Sequence, residues 1–482
     1  MEETNDCIRW IEQTEITNNS KLVRIQHHNT QDTMEKIILN RKNQSNNSID
    51  TYTEDAIKNE YYELAEARNA VKYIEHFVKQ MKHIVDQNPA KPKDYDKWTD
   101  KEQYEHIISN IKIYVPSIPD SLLFFIPAAQ YRGDCGRNST DKPLWLDIKK
   151  FQRGQKFAQD HITSILLANL LSLFEIFAFT DGLKPIIFSR QSHTPYLAFK
   201  RYLSTACRIK NWMMDDPWTV GTQAYKDVQT VRRMHRAIRL KLCERDNEEI
   251  DTATKISNPW CPGREAILED FSSCPYPTVE NGCLHLLITP KGLNQADMGA
   301  TQFAFVGMIL LHPNELGIDA SDEDLEAFCH TWRGIGYLLG IEDEYNFCRG
   351  NLQEIKQRSR DFVDVWVRPY LRQVTPEWEH MLRCVAEGER YYISRFTFET
   401  LLLFVTNLLN IDMPRVRHTL TYFERFSLTI QRFMFRYAMK LRFVREYINK
   451  KVCKVLDKAV EYGPEKHKLL KNRSEKALDK GR

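Results

Sequence analysis

The residues best placed to do chemistry lie in VRRMHRAIRLKL, residues 231–242. At helical spacing Arg232, His235 and Arg239 stand at i, i+3 and i+7 and share one stripe. Val231, Met234 and Ile238 form the apolar stripe beside it. An imidazole at the border of an apolar face, with a guanidinium one turn above and another below, suits a haem. The ring would ligate iron and the arginines would meet the propionates. The same spacing also fits a histidine on a solvated basic helix, which is the commoner use of such a pattern. Burying these cations would require anions, and this helix supplies none of its own.

Other chemistry-bearing residues are sparser. His330 sits in EAFCHTW with Glu326 one turn before it, and a core histidine paired with Glu326 is the plainer reading. A ferritin-like di-iron site needs two Glu-x-x-His pairs, and Glu377 with His380 is the one pair present. Cys261-Pro262 and Cys274-Pro275 lie in a loop-rich stretch, where a thiolate ligand would lack a sheltered pocket. The 11 cysteines show no CxxC spacing, against a disulfide framework or a zinc ribbon. No phosphate-binding glycine loop, nucleophile elbow or HExxH occurs.

The text around His235 adds what spacing lacks. Arg201-x3-Thr205, then W-x2-D-x-P-W over 212–218, then Gly221-x3-Tyr225, then R-x2-H-x3-R follow one another in that order. With FQRGQKFAQDHI (151–162), SHTPYLAFKRYLSTA (192–206), NQADMGATQFAFVG (294–307) and WRGIGYLLGI (332–341), the set resembles one family. It is that of the rubber oxygenases, or latex clearing proteins, and the endoplasmic-reticulum-bound MpaB-type oxygenases. The resemblance spans about 145–350. It implies a haem b protein with a globin-like helical core that uses dioxygen to cleave carbon–carbon double bonds in isoprenoid chains. His235 then matches the proximal iron ligand. Arg201, Thr205, Arg232 and Arg239 match haem-pocket positions. One departure concerns the distal side: where some rubber oxygenases carry a capping lysine just before the threonine, this chain has Ser204, and Lys200 lies a full turn away. The distal pocket near Ser204 and Thr205 is therefore expected to be open or to hold water. An apolar channel for the alkene would draw on Ile162–Phe179 and Met298–Met308.

These residues need long helices to position them. Apolar periodicity predicts helices from Thr53 to about Asp86, from about Thr99, and over 147–160, 161–180, 194–214, 219–245 and 296–312. In SDEDLEAFCHTWRGIGYLLGI, Ser321 can cap a helix whose first turn is acidic. A loop-rich insertion is expected from about Asn247 to Leu293, and strand signals are scarce. The predicted fold is an all-α, multi-helix globular bundle with a globin-like haem-binding core. Its parts are a polar leader (1–50), an N-terminal helical segment (51–140), the haem-binding core (141–360) and C-terminal helices with a basic tail (361–482).

With 68 Lys/Arg against 65 Asp/Glu the chain is nearly balanced, but residues 432–482 hold 16 basic and 6 acidic side chains. The last helical stretch, about 421–460, places Met434, Tyr437, Leu441, Val444, Ile448, Val452 and Val455 on one stripe. Such a helix either docks on its own domain, the simpler use, or makes peripheral contact with an anionic membrane through 432–460. The basic tail has no nucleic-acid-binding motif, so nucleic acid is not an expected partner. The N-terminus lacks the pattern of a secretory signal, and Asn169 and Glu175 interrupt the most apolar run, so no transmembrane helix is expected. The expected location is cytoplasmic, with peripheral contact to the endoplasmic reticulum as the second reading. The function expected is haem b-dependent oxygenation of an apolar substrate. A haem sensor or carrier, and a helical interaction protein that has lost haem, are the alternatives. Nothing in the sequence sets the oligomeric state.

Overall fold

Side-chain caps, more than loop breakers, set where the helices begin. Thr194, Thr222, Asn294 and Ser321 each accept a hydrogen bond from a backbone N–H three residues on, at the start of a predicted helix. The computed structural model describes residues 54–276, 292–393 and 396–481; the expected leader at 1–50 lies outside them. Among the described residues the architecture is all-α, a multi-helix bundle, with a single isolated bridge between Arg132 and Asn294 in place of any sheet.

The helices of nine or more residues, in chain order, begin with α1 (Glu54–Asp86), α2 (Asp100–Ser109), α3 (Ile148–Asp160), α4 (Ile162–Ile176) and α5 (Thr180–Phe188). There follow α6 (Pro195–Met214), α7 (Gln223–Cys243), α8 (Arg264–Ser272), α9 (Gln295–Leu311), α10 (Asp322–Leu338) and α11 (Leu352–Phe362). The C-terminal set is α12 (Pro376–Glu389), α13 (Phe398–Leu408), α14 (Tyr422–Arg436), α15 (Arg442–Val460) and α16 (Pro464–Gly481). The described residues from Asn69 onward form one compact unit, which holds every candidate site residue.

In this unit α4 is a core helix. It packs on α9, α13 and α15, and its apolar positions Ile165, Leu171 and Phe174 are fully enclosed. The expected single helix over 161–180 stops at Ile176, and the chain turns by 109° into α5. Among the described residues no single helix is long and apolar enough to cross a membrane. Two helix contacts are unusually close because glycine allows them. A Cβ on Gly154 of α3 would lie 2.2 Å from the Ala327 carbonyl oxygen and from Thr331 Oγ1 of α10. A Cβ on Gly388 of α12 would lie 2.7 Å from the Phe199 nitrogen of α6.

Two expectations are corrected. The insertion at 247–293 is not purely loop: Asn247–Ala253 and α8 lie inside it, and Asp270 of α8 is buried where it accepts from the Val416 N–H at 2.9 Å. The stretch 421–460 is two helices, with a break at Tyr437–Leu441 that includes a short 3-10 turn. Met439 at the break is fully buried, and a Cβ on Gly317 would lie 2.6 Å from the Met439 Cβ and 2.2 Å from the Phe435 carbonyl oxygen. The chain breaks its helix there to seat itself on Gly317.

Candidate functional site

The motif W-x2-D-x-P-W, residues 212–218, is the corner of a helical hairpin formed by α6 and α7. Asp216 accepts from the Trp218 N–H at 2.9 Å and from Thr219 Oγ1 at 2.6 Å, which tightens the turn. Gly221 takes the left-handed conformation, φ +96°, that lets the chain re-enter a helix. Asp215 then lies at the start of α7 and accepts from the Gln223 N–H at 2.9 Å, a favourable place for a carboxylate. Asn211 Nδ2 donates to Asp227 Oδ2 at 2.8 Å and sets the register of the two helices. That register brings Arg201 and Arg208 of α6 close enough to His235 of α7 for both charges to act on its ring.

The inward face of α7 is not its apolar stripe. Arg232 and Arg239 are 8% and 1% exposed, whereas Met234 is 40% exposed. Ala224, Val228, Arg232, Arg239 and Leu242 turn inward, and His235 falls on the same face. The anions that this burial demands come from elsewhere in the chain. Arg232 makes a two-pronged pair with Asp134, Nε to Oδ2 3.0 Å and Nη2 to Oδ1 2.5 Å, and also donates to the Arg137 carbonyl at 3.0 Å. Arg239 Nη1 donates to the Gly292 carbonyl at 2.9 Å, and its charge acts on Asp297 of α9. Burial pushes the Asp297 carboxyl up to about 6 against that charge.

His235 keeps some accessible surface, yet its Nδ1 is closed off and has no hydrogen-bond partner. Burial, helped by the nearby Arg201 charge, pushes its pKa down to about 4. The ring is therefore neutral at physiological pH, the form in which imidazole ligates a metal. Arg201 bonds only at length, its Nη1 donating to Ser189 Oγ at 3.3 Å and Ser192 Oγ at 3.4 Å. Among the described residues no carboxylate pairs with it. Thr205 turns its hydroxyl back to the Arg201 carbonyl at 3.0 Å. Ser204 is half-buried on the same helix, and the Lys200 charge acts on His467 of α16.

The remaining candidates have structural duties. His330 is buried, but its partner is the Asp147 N–H, which donates to Nε2 at 3.1 Å; Glu326 pairs instead with Lys150. His380 accepts from the Trp260 N–H at Nδ1, 2.8 Å, and its Nε2 lies 3.0 Å from the His193 carbonyl, so its ring is held by backbone on both sides. Cys261 Sγ donates to the Pro376 carbonyl at 3.1 Å, and burial pushes its thiol up to about 12. Among the described residues no cluster of three or more His, Cys, Asp or Glu side chains could hold a metal ion.

Asp134 is the residue sequence reasoning missed. It lies in YRGDCGRNSTDKP, outside the motifs singled out in the sequence, 98 residues from its partner. The one available signal was the unmet demand for an anion near Arg232. Asn169 of α4 is buried with both of its amide atoms closed off and unpartnered.

No family model matches the chain, and no curated protein matches it. A solved structure of latex clearing protein LCP in the closed state is similar at 16% identity and a TM-score of 0.39, covering 74% of this chain and 88% of that one. A superposition that loose carries no argument about activity. The functional reading rests on the ordered motifs and on the geometry of the hairpin.

Proposed function

We propose that this protein is a haem b-dependent oxygenase acting on an apolar, isoprenoid- or lipid-like substrate, with His235 as the proximal iron ligand. The observation that carries the reading is the neutral His235 ring, its Nδ1 buried and unpartnered, close to the uncompensated Arg201 on the facing helix. The residues present fit the group in part. His235 would hold the iron, and Arg201 is available for a propionate. Arg232 is already satisfied by Asp134, so its contribution is to fix α7 rather than to bind the cofactor. Arg239 anchors the next turn of α7 to the Gly292 carbonyl.

When bound, the haem would supply the redox chemistry with dioxygen that breaks a carbon–carbon double bond. The chain's own part is positional. The bidentate Asp134–Arg232 pair and the Arg239 anchor hold α7 one turn to either side of His235, which fixes the ring's direction. Burial keeps the imidazole unprotonated. The buried apolar helices α4 and α9, packed against each other, would give the substrate a water-poor surface. The half-buried Ser204 carries no amine to compete for the distal side.

A second reading has one observation in its favour: the Asp134–Arg232 pair serves a purely structural hairpin equally well. Dioxygen uptake separates the two. Haem-loaded protein given a polyisoprenoid alkene should consume dioxygen and yield carbonyl products. Haem binding without dioxygen uptake on any alkene would leave a sensor or carrier, and failure to bind haem would leave an interaction protein.

A further inference from the structure

α14 wears all its aromatic residues but Phe435 on the outside. Tyr422, Phe423, Phe426, Ile430 and Phe433 fall within an arc of about 100° on a helical wheel, and Tyr437 follows at the break. All six are exposed: Tyr422 is 92%, Phe423 78%, Phe426 64% and Phe433 63% accessible. The helix docks on the protein through a different arc, that of Leu428, Gln431 and Phe435. The stripe read from the sequence, beginning at Met434 and running through Val444, Ile448 and Val452, is half-buried for most of its length. Tyr437 and Leu441 of that stripe are themselves exposed, and beyond the break Phe443 and Tyr447 are exposed as well.

Cations border this face. Arg425, Arg432 and Arg436 lie along one flank of the α14 arc, but Arg432 is half-buried on the Leu403 carbonyl and Arg436 pairs with Glu315, so the free cations are those of α15. On the outer side of α15, Lys450, Lys451, Lys454 and Lys458 are exposed beside Phe443 and Tyr447, and Lys451 Nζ stands 4.6 Å from the Tyr447 ring. Residues 421–460 hold 10 basic and 3 acidic side chains, a net of +7. A second copy of the chain would set this charge against itself, which opposes self-association through the face. An exposed aromatic arc bordered by Lys and Arg is the pattern of a helix lying in a lipid interface. There the rings enter the headgroup boundary while the cations meet anionic lipid.

We propose that α14 and the start of α15 form a peripheral docking surface for an anionic lipid bilayer. The surface is independent of the haem site, so it stands or falls separately from the oxygenase reading. The test is flotation of the full chain with phosphatidylcholine vesicles with and without phosphatidylserine. The protein should float with the anionic vesicles, and added salt should weaken binding. Phe426→Ser with Phe433→Ser should weaken it about tenfold or more, with the thermal midpoint unchanged because both side chains are exposed. Lys450→Glu with Lys454→Glu should lower the preference for phosphatidylserine. Phe433→Trp should show a blue-shifted emission when vesicles are added. No flotation of the full chain, or flotation untouched by the double phenylalanine change, would overturn the proposal. So would a double phenylalanine variant that alters only the oligomeric state.

Discussion

Arg232 and Asp134 hold each other by two parallel bonds, Nε to Oδ2 at 3.0 Å and Nη2 to Oδ1 at 2.5 Å, both side chains nearly sealed from solvent. A bidentate pair of this kind fixes direction as well as distance, and His235 stands one turn along the same helix. Removing one partner leaves the other charge buried and unmatched. Asp134→Ala should therefore destabilise the protein by about 3–5 kcal/mol. The double change Asp134→Leu with Arg232→Met should cost less than the single change. Urea denaturation of the three proteins checks this, and equal losses in the single and double variants would refute it.

His235 makes stability depend on pH with a definite sign. Its folded pKa is pushed down to about 4 from 6.5. Above pH 6.5 the ring is neutral in both states and the pH dependence vanishes. Between 6.5 and 4 the unfolded chain takes up a proton that the folded chain refuses, so stability falls as pH drops. The loss at pH 5 should be about 2 kcal/mol from this group. His161, also pushed down to about 4 by burial, adds a similar slope. Haem-free His235→Phe should lose less stability between pH 7 and pH 5 than haem-free wild type; an identical slope would contradict the assignment.

Much of this was legible in advance, for identifiable reasons. Ser321 with the acidic turn after it predicted the start of α10, because capping depends on neighbours in sequence. The residues of 212–218 stood out in the sequence only as a motif of the family resemblance; that they form the corner of a hairpin came from the structure. Three features were not legible. Asp134 supplies its charge from 98 residues away. The inward turn of Arg239 depends on the Gly292 carbonyl that receives it. The break at Tyr437–Leu441 has no proline or glycine to announce it and follows from contact with Gly317. In each case tertiary partners decided.

The approach of α12 to α6 gives a test of how the site is supported. A Cβ at Gly388 would meet backbone, the Phe199 nitrogen at 2.7 Å and the Pro195 carbonyl oxygen at 2.8 Å, and backbone cannot rotate away. Gly388→Ala should cost about 1–3 kcal/mol. Because α6 carries Arg201, haem affinity should fall with it. An unchanged thermal midpoint would show that the two helices part more easily than their packing implies.

Arg201 should matter to the cofactor and little to the fold. Its hydrogen bonds to Ser189 and Ser192, at 3.3 and 3.4 Å, are long. A hydrogen bond to a charged group is worth about 1.5–3 kcal/mol, or roughly ten- to a hundredfold in affinity. Arg201→Leu should weaken haem binding by that factor in a spectroscopic titration, with little change in stability. Equal affinity in the variant would remove Arg201 from the pocket.

The central claim is that His235 carries a haem, and the visible spectrum of His235→Ala tests it most directly. Purified from cells supplied with haem, the wild-type chain should show a Soret band. The variant should lose that band, and added imidazole should restore it. A variant that keeps the wild-type spectrum, band for band, would show that His235 is not the ligand.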